Sequence, residues 1–490
     1  MVFPWVEQEM KTVDLHDKRL NDRLREVLSQ FAGRPTASIP AACGGYAETT
    51  AAYRLFDNER ATFEAVLAPH REATRRRIEQ QPIVVLAQDT TEVDVTRPEQ
   101  IVEGAGPLDG GSRRGLLLHE VHAFTPDGTP LGTLHAFPWC REDEAPRTAE
   151  MTRAQRAATP LEDKESQRWI DGLRHCQEEA RRCPRTQFIC VADSEADIYE
   201  LLVQGMSGPE NCHWIVRACQ NRALEGENGA IPDDPETAAS HLREQVLTQP
   251  VLYTETVSVR GRKAKIGCEQ RGRRQSRESR RAEVEIRAAQ VTLRAPWRPG
   301  QKLPAVTVNA VLVREINPPA NEPPVEWLLL TSLPIDTPDA VREVVLYYRV
   351  RWMVEVFFRT LKSGCRVEER RFEHIDRLLP CLAVYLIVAW RTLYTCRMGR
   401  TCPELSCEAV FETVEWKALY HFSTRKPPPR EVPKLAEMVR LVAQLGGYIN
   451  RARPDPPGPQ TVWIGLQRLH DIAHCYQIFH PVAETHMELV

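Results

Sequence analysis

Four residues stand at fixed spacing in the stretch Val341 to Arg371: Tyr348, Arg351, Glu355 and Lys362. A carboxylate among cations offers an oxygen ligand for a hard metal ion and two grips for a phosphate, Arg351 as a planar fork and Lys362 as a point charge. At ~100° per residue the four fall at roughly 0°, 300°, 340° and 320° of one predicted helix. Leu346, Val350, Met353, Val354, Phe357 and Leu361 gather near ~140 to 240° as its core face. A solvated face with Arg351 and Glu355 as an i,i+4 ion pair is the plainer account of the same residues. Two further acids bear on that choice. Ile83 to Ala87 and Phe188 to Ala192 are short apolar runs of the kind buried strands show, and they deliver Asp89 and Asp193. Open α/β sheets place their sites at such strand ends. Three carboxylates so supplied suit phosphoryl transfer with two divalent ions, one activating the attacking oxygen and the other stabilising the leaving one. Glu92 and Asp94 follow Asp89, and Asp197 follows Asp193, so the residues alone leave the ligand choice open.

Positioning these groups takes helices at both ends and strands between. Asp17 is a predicted N-cap for the stripe Leu20, Leu24, Val27, Leu28 and Phe31, which stops at Gly33 and Pro35. Helices are also predicted over 46–56 and 62–78, the second carrying Arg71, Arg75, Arg76 and Arg77. Leu116 to Phe124 and Thr129 to Phe137 read as a hairpin about Pro126-Asp127-Gly128, whose His119, His122 and His135 are better read as satisfied polar groups than as metal ligands. A helix over 164–182 precedes the second strand, and Ser194 opens another helix after it. Beta character follows at 214–217, 251–259, 282–293, 305–316 and 326–331. Within it, Arg260 to Arg281 holds ten Lys or Arg against Glu269 and Glu278, as a solvated loop or as a track for a phosphate backbone. Leu435, Met438, Val439, Val442 and Leu445 form one late helical stripe; Val462, Leu466, Leu469, Ala473 and Tyr476 form another.

A chain of 490 residues is too long for one ordinary core, and 42% hydrophobic with 27% charged residues is usual for a soluble globular protein. A net charge of −3 argues against indiscriminate coating of nucleic acid but leaves room for local basic surfaces. Fourteen irregularly spaced cysteines without a Cys-x-x-Cys pair fit a reducing cytoplasm better than a zinc site or disulfide framework. No secretory signal opens the sequence. The apolar run from Leu378 to Trp390 contains Pro380 and is too short to span a bilayer, so it is predicted to be a buried helix and no membrane is expected as a partner.

Tyr348-x2-Arg351-x3-Glu355-x6-Lys362 resembles the YREK signature of the insertion-sequence-four family of bacterial DDE transposases, and the surroundings of Asp89 and Asp193 resemble those of its two catalytic aspartates. Gly44 to Arg54, Glu315 to Pro319, Trp327 to Thr331 and Leu445 to Gly447 extend the likeness over most of the chain. The resemblance implies an α/β, RNase H-like catalytic core with a β-rich insertion, flanked by N-terminal and C-terminal helical domains. It places a DNA-end-binding domain at 1–70, the first part of the core at 71–209, the insertion at 210–332, the signature helix at 333–372 and a dimerisation domain at 373–490. Asp89, Asp193 and Glu355 would be catalytic and would bind two Mg2+ or Mn2+ ions. Tyr348, Arg351, Lys362, Arg359, Trp327, Arg23 and Arg54 would contact DNA, with Trp327 against a flipped-out base. Implied partners are double-stranded DNA, both transposon ends and target, and a second copy of the chain in a homodimer on DNA. Implied chemistry is cut-and-paste transposition through strand nicking, hairpin formation, hairpin opening and strand transfer, in the bacterial cytoplasm at the nucleoid. The rival readings are a structure-selective RNase H-like nuclease that does not join, and a silent DNA-end-binding protein.

Overall fold

The computed structural model describes the chain except residues 1, 98, 110–111, 144–151, 153–158, 226–240, 260, 262–277, 299, 321, 323, 450–455 and 481–490. Most of the basic stretch Arg260 to Arg281 therefore lies outside the described residues. Two compact units emerge, one of Met1–Gln81, Asp89–Ala145 and Trp352–Val490, the other of Pro82–Gln88 and Pro146–Arg351.

In the first unit, the head is built from α1 (Pro4–Glu9), α2 (Lys18–Gly33), α3 (Ile39–Cys43), α4 (Tyr46–Phe56) and α5 (Phe63–Ile78). Asp17 caps α2 by accepting the Arg19 N–H at 2.8 Å, and Thr62 caps α5 through Ala65 at 3.2 Å, as the sequence predicts. The strand β1 (Ile83–Asp94) runs through both units, and its second half neighbours the hairpin β3 (Arg114–Phe124) and β4 (Pro130–Trp139), with the short β2 (Gly106–Pro107) beyond. The long α11 (Ile375–Thr401) packs on α5 and β4. It is long and apolar enough to cross a membrane, but 83% of its most apolar window is buried in the fold, which is the behaviour of a core helix. The C-terminal helices α12 (Thr413–Thr424), α13 (Leu435–Leu445) and α14 (Pro459–Phe479) close a second core around Trp416, Leu419, Met438, Val442 and Leu469. Helix α14 also reaches the head, where Arg34 pairs with Asp471 at 3.0 Å and Gly33 lies under the His470 ring.

In the second unit, the first half of β1 pairs in parallel with β5 (Gln187–Ala192), which pairs in parallel with β6 (Cys212–Arg217). Antiparallel β10 (Glu326–Thr331), β9 (Val306–Glu315), β8 (Arg280–Leu293) and β7 (Tyr253–Val259) continue the same sheet in that order. Helices α6 (Gln167–Arg182), α7 (Tyr199–Met206), α8 (Leu242–Leu247) and α9 (Pro338–Val350) complete the unit. A central strand flanked by a hairpin on one side and parallel strands on the other is the RNase H-like arrangement. The β-rich stretch expected as an insertion is thus continuous with the core sheet, since its first strand, β6, pairs directly with β5.

Two sequence expectations differ from the fold. Beta pairing carries β1 to Asp94, so Asp89 lies inside a strand rather than at its tip. The stretch from Val341 to Arg371 is not one helix. α9 ends at Val350, α10 covers Trp352–Arg359, a π-turn follows over Thr360–Gly364 and a 3-10 turn over Val367–Glu369. Arg351 keeps helical angles (φ −47°, ψ −37°), but its N–H bonds Tyr348 three residues back at 3.1 Å. The 100° wheel therefore fails beyond Arg359, because a π-turn inserts an extra residue per turn. On α9 the buried stripe is Val341, Val344, Val345 and Tyr348, so Leu346, expected in the core, is 46% exposed.

Candidate active site

Parallel pairing of β1 with β5 puts Ala87 opposite Val191. Asp89 and Asp193 each come two residues after that pair, Asp89 within β1 and Asp193 just past the end of β5. Each carboxylate is oriented by a backbone N–H: Asp89 Oδ1 accepts from Thr90 at 2.8 Å, and Asp193 Oδ1 caps a 3-10 turn by accepting from Glu195 at 2.8 Å. The neighbouring acids are committed elsewhere. Glu92 pairs with Arg113 at 2.7 Å and accepts the Asp109 N–H, while Asp94 pairs with Arg113 at 3.5 Å and caps Thr96. Asp197 is buried, accepts the N–H groups of Cys219 and Gln220 and meets Arg222 at 2.5 Å. It is a structural anchor.

In the second unit, Tyr348 is buried and its ring centre lies 5.9 Å from that of Trp327, at 57°. Burial pushes the Tyr348 hydroxyl pKa up; Arg351 and Arg217 pull it back, and Asp193 adds to the rise. A phenol so placed stays protonated and acts as a donor. Asp193, Tyr348, Arg351, Arg217 and Trp327 thus share one neighbourhood, with Trp327 half-buried at the start of β10. Arg217 was not singled out from sequence. Its signal is its place at the end of an apolar run, the same position that marks Asp193.

In the first unit, Glu355 is half-buried on α10, between the buried Val354 and Phe357. The Phe357 ring packs on His122, centres 4.4 Å apart and planes tilted by 43°, which seats α10 against β3. His119 Nδ1 contacts the Thr90 hydroxyl at 2.9 Å, a satisfied polar group as expected, whereas His122 meets Glu120 at 2.9 Å through Nδ1 but leaves its buried Nε2 without a hydrogen-bond partner among the described residues. Lys362 lies in the π-turn, 3.5 Å from Glu368, and Glu368 accepts the Asp94 N–H at 3.1 Å. That chain of contacts ties the π-turn to β1. Arg359 and Arg54 are exposed, and Arg23 pairs with Glu26 at 2.8 Å on the surface of α2.

Hard carboxylate oxygens are the donor set a divalent cation prefers, so the chemistry of Asp89, Asp193 and Glu355 fits such an ion. Among the described residues no three His, Cys, Asp or Glu side chains are grouped closely enough to hold one. Acids of like charge repel until a counter-charge arrives, so a ready-made cage is not required of the ion-free chain.

Residues 3–61 match a transposase DNA-binding family, residues 166–379 the transposase DDE domain and residues 387–484 the dimerisation domain of transposase Tn5. The chain is a Tn5-like DDE transposase. A solved piggyBac transposase synaptic complex with hairpin DNA is also similar, at 10% identity and a TM-score of 0.35, over 99% of this chain and 79% of that one. That likeness is too low to bear on the assignment. The transposase is an enzyme that cleaves and transfers DNA strands, binds DNA, dimerises and, as DDE domains do, depends on divalent metal. Its DDE match begins after Asp89 and includes Asp193, Arg217, Trp327 and the whole signature stretch.

Proposed function

We propose that this transposase works by the cut-and-paste chemistry of the insertion-sequence-four type, with nicking, hairpin formation, hairpin opening and strand transfer into target DNA. The observation that carries the reading is the grouping of Trp327, Arg351, Arg217 and Asp193 around Tyr348, since plain hydrolysis needs neither an aromatic platform nor extra grip on a released end. In this reading Asp89, Asp193 and Glu355 are the catalytic, metal-binding residues. Two Mg2+ or Mn2+ ions bound there supply activation of the attacking oxygen and stabilisation of the leaving one. Tyr348 donates its hydroxyl to a phosphate oxygen, Arg351 adds a planar fork, and Lys362 and Arg359 hold flanking phosphates. Trp327 offers a ring face to a base turned out of the stack. Arg23 and Arg54 contact the ends from the head.

The functional boundaries are the five segments expected from sequence, and the acting form is a homodimer on two ends. Phe422, Ile478 and Phe479, exposed at 57%, 62% and 78%, supply apolar surface within the dimerisation match. All described cysteines are free thiols, which suits action on DNA in a reducing cytoplasm.

Purified protein incubated with Mg2+ and a labelled duplex carrying the element's own ends should yield hairpins and joined products on a denaturing gel. Nicks alone would return the chain to the nuclease reading, and retention without cleavage to the end-binding one.

A further inference from the structure

Away from these residues, the first unit holds a cavity of about 430 Å3 between α1, α5 and α11. Lys11, Arg76, Arg77 and Arg391 line it against a single acid, Glu9. That acid is already used. Glu9 is buried, bonds His70 Nδ1 at 2.5 Å and takes both Arg77 Nη atoms at 2.8 and 3.0 Å. Arg391 has no carboxylate partner among the described residues; its guanidinium donates to the Val410 carbonyl at 2.6 Å and is otherwise flanked by Trp5 and Tyr394, at 5.2 and 5.8 Å. Of the acids that act on it through space, Glu415, Glu9 and Glu412, burial pushes Glu415 up to about 7 and raises Glu412, while Glu9 is held by His70 and Arg77. Arg76 and Lys11 make no ion pair among the described residues either. Three cations without an ion-pair partner around one opening repel one another unless an anion joins them.

We propose that this cavity is a binding site for the phosphate of a nucleotide, with Arg391 and Arg76 as the phosphate grips and Trp5 as the face against which the base lies. Arg391 is pre-organised by its aromatic neighbours, so little rotamer freedom is lost when its fork meets a phosphate. The volume exceeds what a lone phosphate fills and falls in the range of small-ligand sites. The nucleotide is either free or part of a DNA strand; the second source rests on the reading of the chain as a DNA-processing enzyme.

Equilibrium dialysis of the full-length protein with dAMP, inorganic phosphate, a short single strand and a blunt duplex tests the site, alongside thermal shift. Saturable dAMP binding is expected, tighter than inorganic phosphate, with a raised melting temperature. Arg76→Gln and Arg391→Gln should each weaken it about tenfold or more, and Arg391→Lys less. Arg76 makes no ion pair among the described residues, so its variant reports binding even where Arg391→Gln is unstable. Displacement of dAMP by the single strand at low concentration assigns the site to DNA, and dAMP binding that DNA does not displace assigns it to a free nucleotide. No dAMP binding at millimolar concentration, or binding unchanged in Arg76→Gln and Arg391→Lys, would overturn the proposal. Hairpin and joining assays on Arg76→Gln keep the two readings apart, because the proposed chemistry can fail with dAMP binding intact, and the reverse.

Discussion

Asp193 and Asp197 stand four residues apart and have opposite fates. Asp197 is wholly buried against Arg222, while Asp193 caps a turn near Tyr348. Removing the first should unfold, and removing the second should silence. Asp197→Ala leaves Arg222 buried without its partner, so a loss of about 3–5 kcal/mol in urea denaturation is expected. Glu355→Ala should leave the denaturation midpoint and end binding near wild type while cutting falls about a thousandfold or more, as the loss of several kcal/mol of charge stabilisation dictates. Substantial residual cutting would remove Glu355 from the triad. Trp327→Ala should slow hairpin formation roughly five- to hundredfold, the worth of one stacked base, and slow the first nick much less. Equal effects on both steps would take the base-stacking role away from it.

At the level of elements, hydrophobic period served well wherever one face met a core and badly where backbone geometry changed. Caps and stripes located α2, α4, α5, α13 and α14, and apolar runs located β1, β5 and β6. Missed were the break at Arg351, which no glycine or proline marks, and the π-turn at Lys362, whose single glycine, Gly364, stands only at its end. α12 was also missed; its mixed surface carries no clean stripe. The α13–α14 crossing gives a sharp test. A Cβ on Gly465 would stand 1.8 Å from the Val442 carbonyl oxygen, closer than any relaxed contact. Gly465→Ala should therefore force the two helices apart at a cost of about 1–3 kcal/mol. Because that crossing lies in the dimerisation match, sedimentation should also show less dimer; an unchanged melting curve would mean that the crossing relaxes freely.

For the molecule as a whole, a buried carboxyl, Glu9, and a half-buried one, Glu415, set opposing pH dependences. Burial alone would raise Glu9, but His70 and Arg77 hold it down to about 2 from the usual 4.5. The Thr133 N–H donates to His70 Nε2 at 3.0 Å, so the His70 proton sits on Nδ1 and points at Glu9. A depressed carboxyl contributes stability that is complete above 4.5 and is lost as pH falls toward about 2, worth about 3 kcal/mol. Glu415 runs the other way. Burial raises it from 4.5 to about 7, despite the Glu412 N–H and Arg391, so the folded chain holds a proton that the unfolded chain releases. Its stability contribution is complete below 4.5 and is lost as pH rises through about 7. Melting temperature should fall between pH 5 and pH 8, and Glu415→Gln should flatten that limb while leaving the acid limb to Glu9. A limb unchanged in Glu415→Gln would assign the loss to another group.

The order of acids and cations along the chain, with the stripes and runs around them, was enough to establish the α/β class, the helical ends and the DDE assignment. Those are local signals: residue type, spacing and the two periods of helix and strand. Which acid of each cluster is already spent was decided by tertiary structure, because Arg113 and Arg222 reach Glu92, Asp94 and Asp197 from distant positions. The same holds for Arg217 near Tyr348 and for Arg391 between Trp5 and Tyr394, which has no ion-pair partner among the described residues. A side chain's charge is written in the sequence, but the groups that neutralise, bury or leave it unpaired come from elsewhere in the chain and are set only by folding.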